Sequence, residues 1–339
     1  VRVILVRLSA LGDIIHGWPV AAAIAAARPD VHLTWVVENS LAPLVDGHPA
    51  VDAVITARTG SWRRKPWSGS VRAEIAAFRT RLHELQPDVA LDLQGTVKSA
   101  LVSRWTGAPR RIGLARPWRR EWLAGLATTE TVAGAGPGHH VVDTNLALLA
   151  PLGVDPPRSA QPDGRWLLEK ARRPEWPWDE PYAVVLPGTG GAHKVLPIAT
   201  LGEVCRGLAA LELAPVVLWG PGERQRAEEV VEAGGDAVRL APPTDILEMA
   251  AVLGRAAVVI GADTGPVHLA ASLAVPTVGV FLASDWRRNG PLGRRTAVIS
   301  GALDRPQLPS GSARVPAERA VGADEIVAAT RDLLEGSPR

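Results

Sequence analysis

Sulfur and aromatic side chains are scarce in this 339-residue sequence, which has one Cys, one Met, one Tyr and two Phe. A single cysteine, Cys205, excludes an intramolecular disulfide and any Cys-rich metal site. It falls in a helix-patterned stretch and reads as packing. No apolar run is long enough to cross a bilayer, and the opening VRVILVRL reads as a strand rather than a signal peptide. The chain is therefore expected to be cytoplasmic. Net charge is only +2, so nothing global attracts a nucleic acid. Lysine is confined to Lys65, Lys98, Lys170 and Lys194, and in so Arg-biased a chain each is either assigned a task or tolerated surface. The first strand–loop–helix carries neither GxGxxG nor a Walker pattern, so a nucleotide is not expected in that half. No DxD pair is placed to hold a metal diphosphate, because Asp88 and Asp92 bracket a strand.

What the sequence does have is strand–helix alternation, twice over. The length suits two domains, and 47% of residues are hydrophobic, enough for two cores. In the first half, residues 1–8, 31–38, 51–57 and 88–93 read as strands, with a short helix at 41–48. Gly12 permits the turn after the first strand. Asp13 lies near a helix start, where it is either an N-cap or a carboxylate with work to do. Residues 58–67 read as a loop mixing cations with two tryptophans, a surface for an anionic, partly apolar partner. Trp118-Arg119-Arg120-Glu121-Trp122 is a second basic-aromatic patch. Lys98, at another helix start, either holds an anion or faces solvent. Adjacent His139 and His140 would point to different sides of a helix, which argues against a two-His metal site.

Pro- and Arg-rich sequence at 156–180 reads as a linker, with one short element near 166–171. The same pattern then restarts, with strands expected at 182–186, 215–219, 237–240, 256–260 and 276–281, the last closing the parallel set. Helices are expected at 197–211, 224–233, 244–253 and 323–334. This is an α/β chain of two doubly wound, Rossmann-like domains. The expected divisions are 1–155, a linker at 156–180, 181–322, and a C-terminal helix at 323–339 that packs back on the first half.

The chain is organised around Gly261-Ala262-Asp263-Thr264-Gly265-Pro266-Val267-His268. A β-branched apolar run precedes it and an apolar helix follows. Thr264 suits an N-cap and Pro266 an early helical position. Free N–H groups at such a turn bind phosphate, although an ordinary α/β turn has the same grammar. Its Asp-Thr-Gly opens a helix, which excludes the all-β setting of an aspartic protease. Ligands of doubly wound sheets collect beyond the carboxyl ends of the strands. In the second half those ends carry Thr189, Gly190 and Lys194, then Gly222 and Glu223, then Thr244, and finally Asp263, Thr264, Gly265 and His268. Together they would make a pocket for a nucleotide diphosphate, with Lys194 and the Thr264-Gly265 amides on phosphate and Glu223 on a ribose diol.

RLSALGD at 7–13, SWRRKPW at 61–67, DLQGTVKSAL at 92–101, RREWLA at 119–124, the glycine-rich loop ending in Lys194 and ADTGPVHLAA at 262–271 occur in an order that resembles glycosyltransferase family 9. These are the ADP-heptose:lipopolysaccharide heptosyltransferases, and the likeness is greatest to the type I enzyme. Val195-Leu196-Pro197, where the family usually has Trp before the proline, and Gly188-Thr189-Gly190-Gly191, where the type I loop is Thr-rich, depart from the pattern. The resemblance implies a GT-B architecture, an inverting reaction without a metal or other cofactor, and ADP-heptose as donor. By matching position Asp13 would be the general base and Lys194 the leaving-group cation. Asp263 would hydrogen-bond the heptose, with Thr264 and Gly265 donating from the backbone, Glu223 on ribose, and Thr189, Gly190, Thr244 and His268 completing the donor site. The implied acceptor is an anionic Kdo–lipid A precursor, which suits Arg63, Arg64, Lys65, Lys98 and Arg120. Such an acceptor would bring the enzyme to the cytoplasmic face of the inner membrane. A transferase or epimerase using another nucleotide sugar, and a silent binding protein, are the competing readings.

Overall fold

The computed structural model describes residues 1–157, 159–175, 180–188, 190–191, 194–302 and 319–336. Two compact units divide the chain, the first comprising Val1–Ala160 and the second starting at Gln161.

The first unit is a six-stranded sheet of β1 (Arg2–Val6), β2 (His32–Glu38), β3 (Ala53–Ala57), β4 (Val89–Asp92), β5 (Arg110–Leu114) and β6 (Glu130–Val132), ordered β3-β2-β1-β4-β5-β6. Every pairing is parallel, with Ile4 aligned to Thr34 on one side and Ala90 on the other. A strand covered on both faces must be apolar on both, and Val3, Ile4, Leu5 and Val6 are all buried. Strand order reverses between β1 and β4, so their carboxyl ends form the switch point where ligands of this fold collect.

The second unit repeats the plan with β7 (Tyr182–Leu186), β8 (Ala214–Val217), β9 (Arg239–Leu240), β10 (Val258–Ala262), β11 (Thr277–Phe281) and β12 (Thr296–Ser300). Its order β12-β11-β10-β7-β8-β9 is the same winding, and the switch point lies between β7 and β10. Helix Ile198–Ala209 buries Leu201, Val204, Cys205 and Leu208, the one-face spacing of an amphipathic helix on a sheet. Burial pushes the Cys205 thiol up to about 12, consistent with a packing role.

Several expectations are corrected. β11 does not close the second sheet; β12 continues it, its Thr296 aligned with Thr277. The helix Ala323–Leu334 packs on helix Ile198–Ala209, β11 and β12 of its own unit rather than returning to the first. Ile326 and Ala329 are buried in that core, apolar area that would be exposed if the helix left its own sheet. Much of the Pro-rich stretch expected as a linker belongs to the second unit: Leu167 is buried, and Gly164 N–H donates to the Ser272 carbonyl at 2.9 Å. The basic segment after β3 is a helix, Thr59–Arg64, not a loop, and its Trp62 is buried against Phe78, ring centroids 5.1 Å apart. Apolar burial decides that point: of the two tryptophans only Trp67 remains exposed.

Candidate active site

At the first switch point, the chain leaves β1 through Arg7, Leu8, Ser9 and Ala10 and enters helix Leu11–Ile15. Asp13 is the third residue of that helix, not its N-cap, and its Oδ2 accepts the Ala10 N–H at 3.2 Å. Arg7 Nη2 lies 2.5 Å from Asp13 Oδ1, and Arg120 Nη1 lies 3.7 Å from Oδ2. Arg7 is buried, and its Nη1 also donates to the Leu93 carbonyl at the end of β4. The two loops are tied again by Leu8 N–H donating to Gln94 Oε1 at 2.8 Å. Burial by itself would push the Asp13 carboxyl up, but Arg7, Arg120 and the Ala10 N–H outweigh it and hold the group below the ordinary aspartate range. With its side chain 24% exposed, Asp13 is an ionised carboxylate that a ligand can reach.

The loop after β4 is built by Asp92, whose Oδ1 accepts from Gln94 N–H and Gly95 N–H at 2.9 and 3.0 Å. Its Oδ2 accepts from Ser99 Oγ at 3.0 Å. Gly95 has a positive φ of 63°, the left-handed conformation this turn requires. Thr96 caps helix Val97–Trp105, and Lys98 on its first turn donates to Ser9 Oγ at 3.4 Å. Asp13, Lys98 and Arg120 are thus brought together, while Arg63, Arg64 and Lys65 are exposed beyond edge strand β3. Arg119 is structural: it donates to the carbonyls of Leu114 and Trp122.

At the second switch point Asp263, at the end of β10, gathers the polar groups. Lys194 Nζ donates to its Oδ2, Ser284 Oγ donates to the same oxygen at 2.7 Å, and His268 Nε2 lies 3.6 Å from Oδ1. Burial would raise the Asp263 carboxyl, but His268 and Lys194 together pull it well below the usual range. Thr264 occupies the N-cap of helix Gly265–Ser272 without a side-chain capping bond, and Pro266 follows early in the helix. The expected Thr264 cap is thus one of position only. Glu223 Oε2 accepts the Gly220 N–H at 2.9 Å, and a methyl added at Gly188 would overlap its carboxylate. The loops after β7 and β8 are therefore in contact. Gly190 is exposed beside them, and Thr189 lies outside the described residues. Thr244 does not start a helix; Asp245 caps helix Ile246–Arg255 instead, accepting from Leu247 and Glu248 N–H at 2.9 Å and pairing with Arg172.

The partners Arg7 and Ser284 escaped the sequence reading. Arg7 had a signal, since it is a charge directly after the apolar run Val3–Val6 at a strand's carboxyl end; Ser284 had none. Among the described residues no three His, Cys, Asp or Glu side chains gather to hold a metal ion.

A doubly wound parallel sheet repeated twice in one chain, each with a polar cluster at its switch point, is a two-domain Rossmann-like plan. The sequence model of glycosyltransferase family 9 (heptosyltransferase) matches residues 75–316, and the chain belongs to that family of glycosyltransferases. It is 33% identical to lipopolysaccharide heptosyltransferase 1 of Pseudomonas aeruginosa over 294 residues, covering 86% of this chain and 82% of the relative. It is also 33% identical to the Salmonella typhimurium protein of the same name over 296 residues, covering 86% and 92%. Among solved structures, E. coli heptosyltransferase WaaC with ADP matches with TM-score 0.79 and 29% identity over the whole of both chains. The same enzyme with ADP-2-deoxy-2-fluoro heptose matches at 0.76 and 28%, again over both chains in full. The fold is the GT-B fold of those structures.

Proposed function

We propose that this chain transfers heptose from ADP-heptose to a Kdo residue of a lipopolysaccharide inner-core precursor, with inversion and without a metal. The relatives are lipopolysaccharide heptosyltransferases by name, which supports heptose transfer in lipopolysaccharide synthesis, and the ADP of the matched structures supports a nucleotide-sugar donor. The finer reading rests on one observation above the rest: Asp13 is a reachable carboxylate kept ionised by Arg7.

In this reading the acceptor hydroxyl attacks the anomeric carbon as its proton passes to Asp13, and the bond from that carbon to the diphosphate oxygen breaks. The electron pair leaves with ADP, and attack opposite the leaving group inverts the centre. Lys194 and the amides of Thr264 and Gly265 take the developing diphosphate charge, which replaces the work of a metal. Asp263 positions Lys194, with His268 and Ser284 holding Asp263, and can turn toward the sugar as diphosphate claims the lysine. Glu223 addresses ribose, and Gly190, Thr189 and Thr244 would complete the donor contacts. A carboxylate this acidic is a weak base while both arginines face it. An anionic acceptor that draws Arg120 away removes one of those charges and strengthens the base as it binds. Lys98 then meets the same acceptor, with Arg63, Arg64 and Lys65 farther out, and the acceptor's lipid brings the enzyme to the inner membrane.

Asp13→Asn should lower turnover by roughly 10²–10⁴-fold, the span for losing a general base, while ADP affinity by calorimetry stays that of the parent. Transfer at the parent's rate by this variant would end the assignment. Failure of the parent to release ADP from ADP-heptose with a deacylated Kdo acceptor, while binding ADP, would favour a binding protein; turnover of another nucleotide sugar would favour the other enzyme readings.

A further inference from the structure

Helix Val97–Trp105 and the 3₁₀ turn Trp122–Ala127 pack on one another through Ala100, Ala124 and Ala127. In a 3₁₀ turn residues three apart eclipse, so Ala124 and Ala127 face in while Leu123 and Leu126 share another side. That side is left in the open: Leu126 is 76% exposed, Trp122 beside it 66%, and Leu123 is exposed too. On the helix, Val97 and Leu101 are one turn apart and both exposed. Five large exposed apolar side chains thus lie on two elements that pack directly on one another.

Its charge is one-sided. Residues 97–127 contain seven Lys or Arg and a single acid, Glu121. Glu121 is committed to the helix start, its Oε2 accepting the Val97 N–H at 2.7 Å. Lys98, Arg104, Arg116 and Arg120 are exposed on the same two elements and the segment that joins them. Exposed leucines and a tryptophan interleaved with exposed cations have the composition of a surface that sits in the headgroup region of an anionic bilayer. A second copy of the chain fits less well, because a two-fold contact would set this cationic surface against itself.

We propose that Val97, Leu101, Trp122, Leu123 and Leu126 form a platform that docks this unit directly onto an anionic lipid surface. The platform adjoins Asp13 through Lys98 and Arg120, so docking would present that cluster at the level of the headgroups. Contact is made by the protein's own side chains and does not depend on which sugar is transferred.

The test is co-sedimentation of the full chain with vesicles of phosphatidylcholine alone and with phosphatidylglycerol added. Binding is expected to the anionic vesicles, to weaken with salt, and to fall on the order of tenfold to a hundredfold in Trp122→Ser/Leu126→Ser, given the apolar area removed. Leu101→Ser, on the other element, should weaken it in the same direction. All variants should keep the parent's turnover of a deacylated, water-soluble acceptor, which reports the fold and separates this inference from the proposed reaction. Equal sedimentation of variants and parent would overturn it. So would a parent that ignores the vesicles but forms a dimer abolished by Leu126→Ser, an outcome favouring a second copy as the occupant.

Discussion

Arg7 and Asp13 form a pair in which the cation sets the anion's working range. Arg7 is 5% exposed and the Asp13 side chain 24%, so water screens the pair poorly. The folded carboxyl lies below its unfolded value, so the group stays ionised at a pH where a free aspartate begins to protonate. Replacing Arg7 by Met removes the largest counterweight to burial and leaves only Arg120 and the Ala10 N–H, so the Asp13 carboxyl rises. If Asp13 is the base proposed above, the acid limb of the kcat–pH profile is then expected to move to higher pH, and an unmoved limb would show that the pair does not govern catalysis. Asp263 makes the matching prediction for stability. Its folded carboxyl is well below the unfolded 3.8, so its contribution is fully present above 3.8 and is lost as pH falls through the lower folded value. The Tm of the parent should exceed that of Asp263→Asn at neutral pH, and the gap should close in strong acid. A gap independent of pH would refute the ionic account.

Between elements, the informative contact is Gly188 against Glu223. The loop after β7 passes so close to the loop after β8 that a side chain at residue 188 would occupy the space of the Glu223 carboxylate. The displaced group is the far end of a flexible side chain, so Gly188→Ala should change Tm little. It should nevertheless turn Glu223 off the Gly220 N–H and raise the KM for the nucleotide sugar several-fold at nearly unchanged kcat. A large fall in Tm instead would mean that the backbone, not the carboxylate, had been forced to move. Elements also show what a linear reading can see. β7 falls on its expected residues because YAVVL is an uninterrupted apolar run with two β-branched valines, the pattern of a buried parallel strand. Helix Gly69–Glu84 had not been anticipated, since only Val71, Phe78 and Leu82 of its residues are buried and so sparse an apolar pattern gives a weak helical signal. β5 was missed as well, because Arg110 and Arg111 at its start read as surface while their guanidinium groups are held by Glu130 and by the carbonyls of Pro151, Ala127 and Ala108.

For the whole molecule, two sheets wound in the same order carry two different clusters, a carboxylate held by arginines in one unit and a lysine–aspartate–histidine group in the other. If the first receives the acceptor and the second the donor, substitutions sort by unit. Arg120→Gln and Lys98→Gln should raise the acceptor KM and leave ADP affinity alone, whereas Lys194→Met should weaken ADP binding and slow transfer together. Neither rate nor affinity should respond to a chelator. Variants of the first unit that lose ADP affinity would contradict this division.

The amino-acid sequence by itself determined the strand–helix alternation, the switch-point loops and the candidates Asp13, Lys194, Asp263 and Glu223, because glycine, apolar runs and isolated charges act over a few residues of chain. Only the tertiary structure decided that Asp13 answers to Arg7, that Ser284 holds Asp263, that Trp62 belongs to a core and that the last helix stays with its own sheet. Those outcomes depend on residues far apart in the chain meeting at a strand end or competing for the same buried surface, and spacing along a sequence carries no record of who arrives there first.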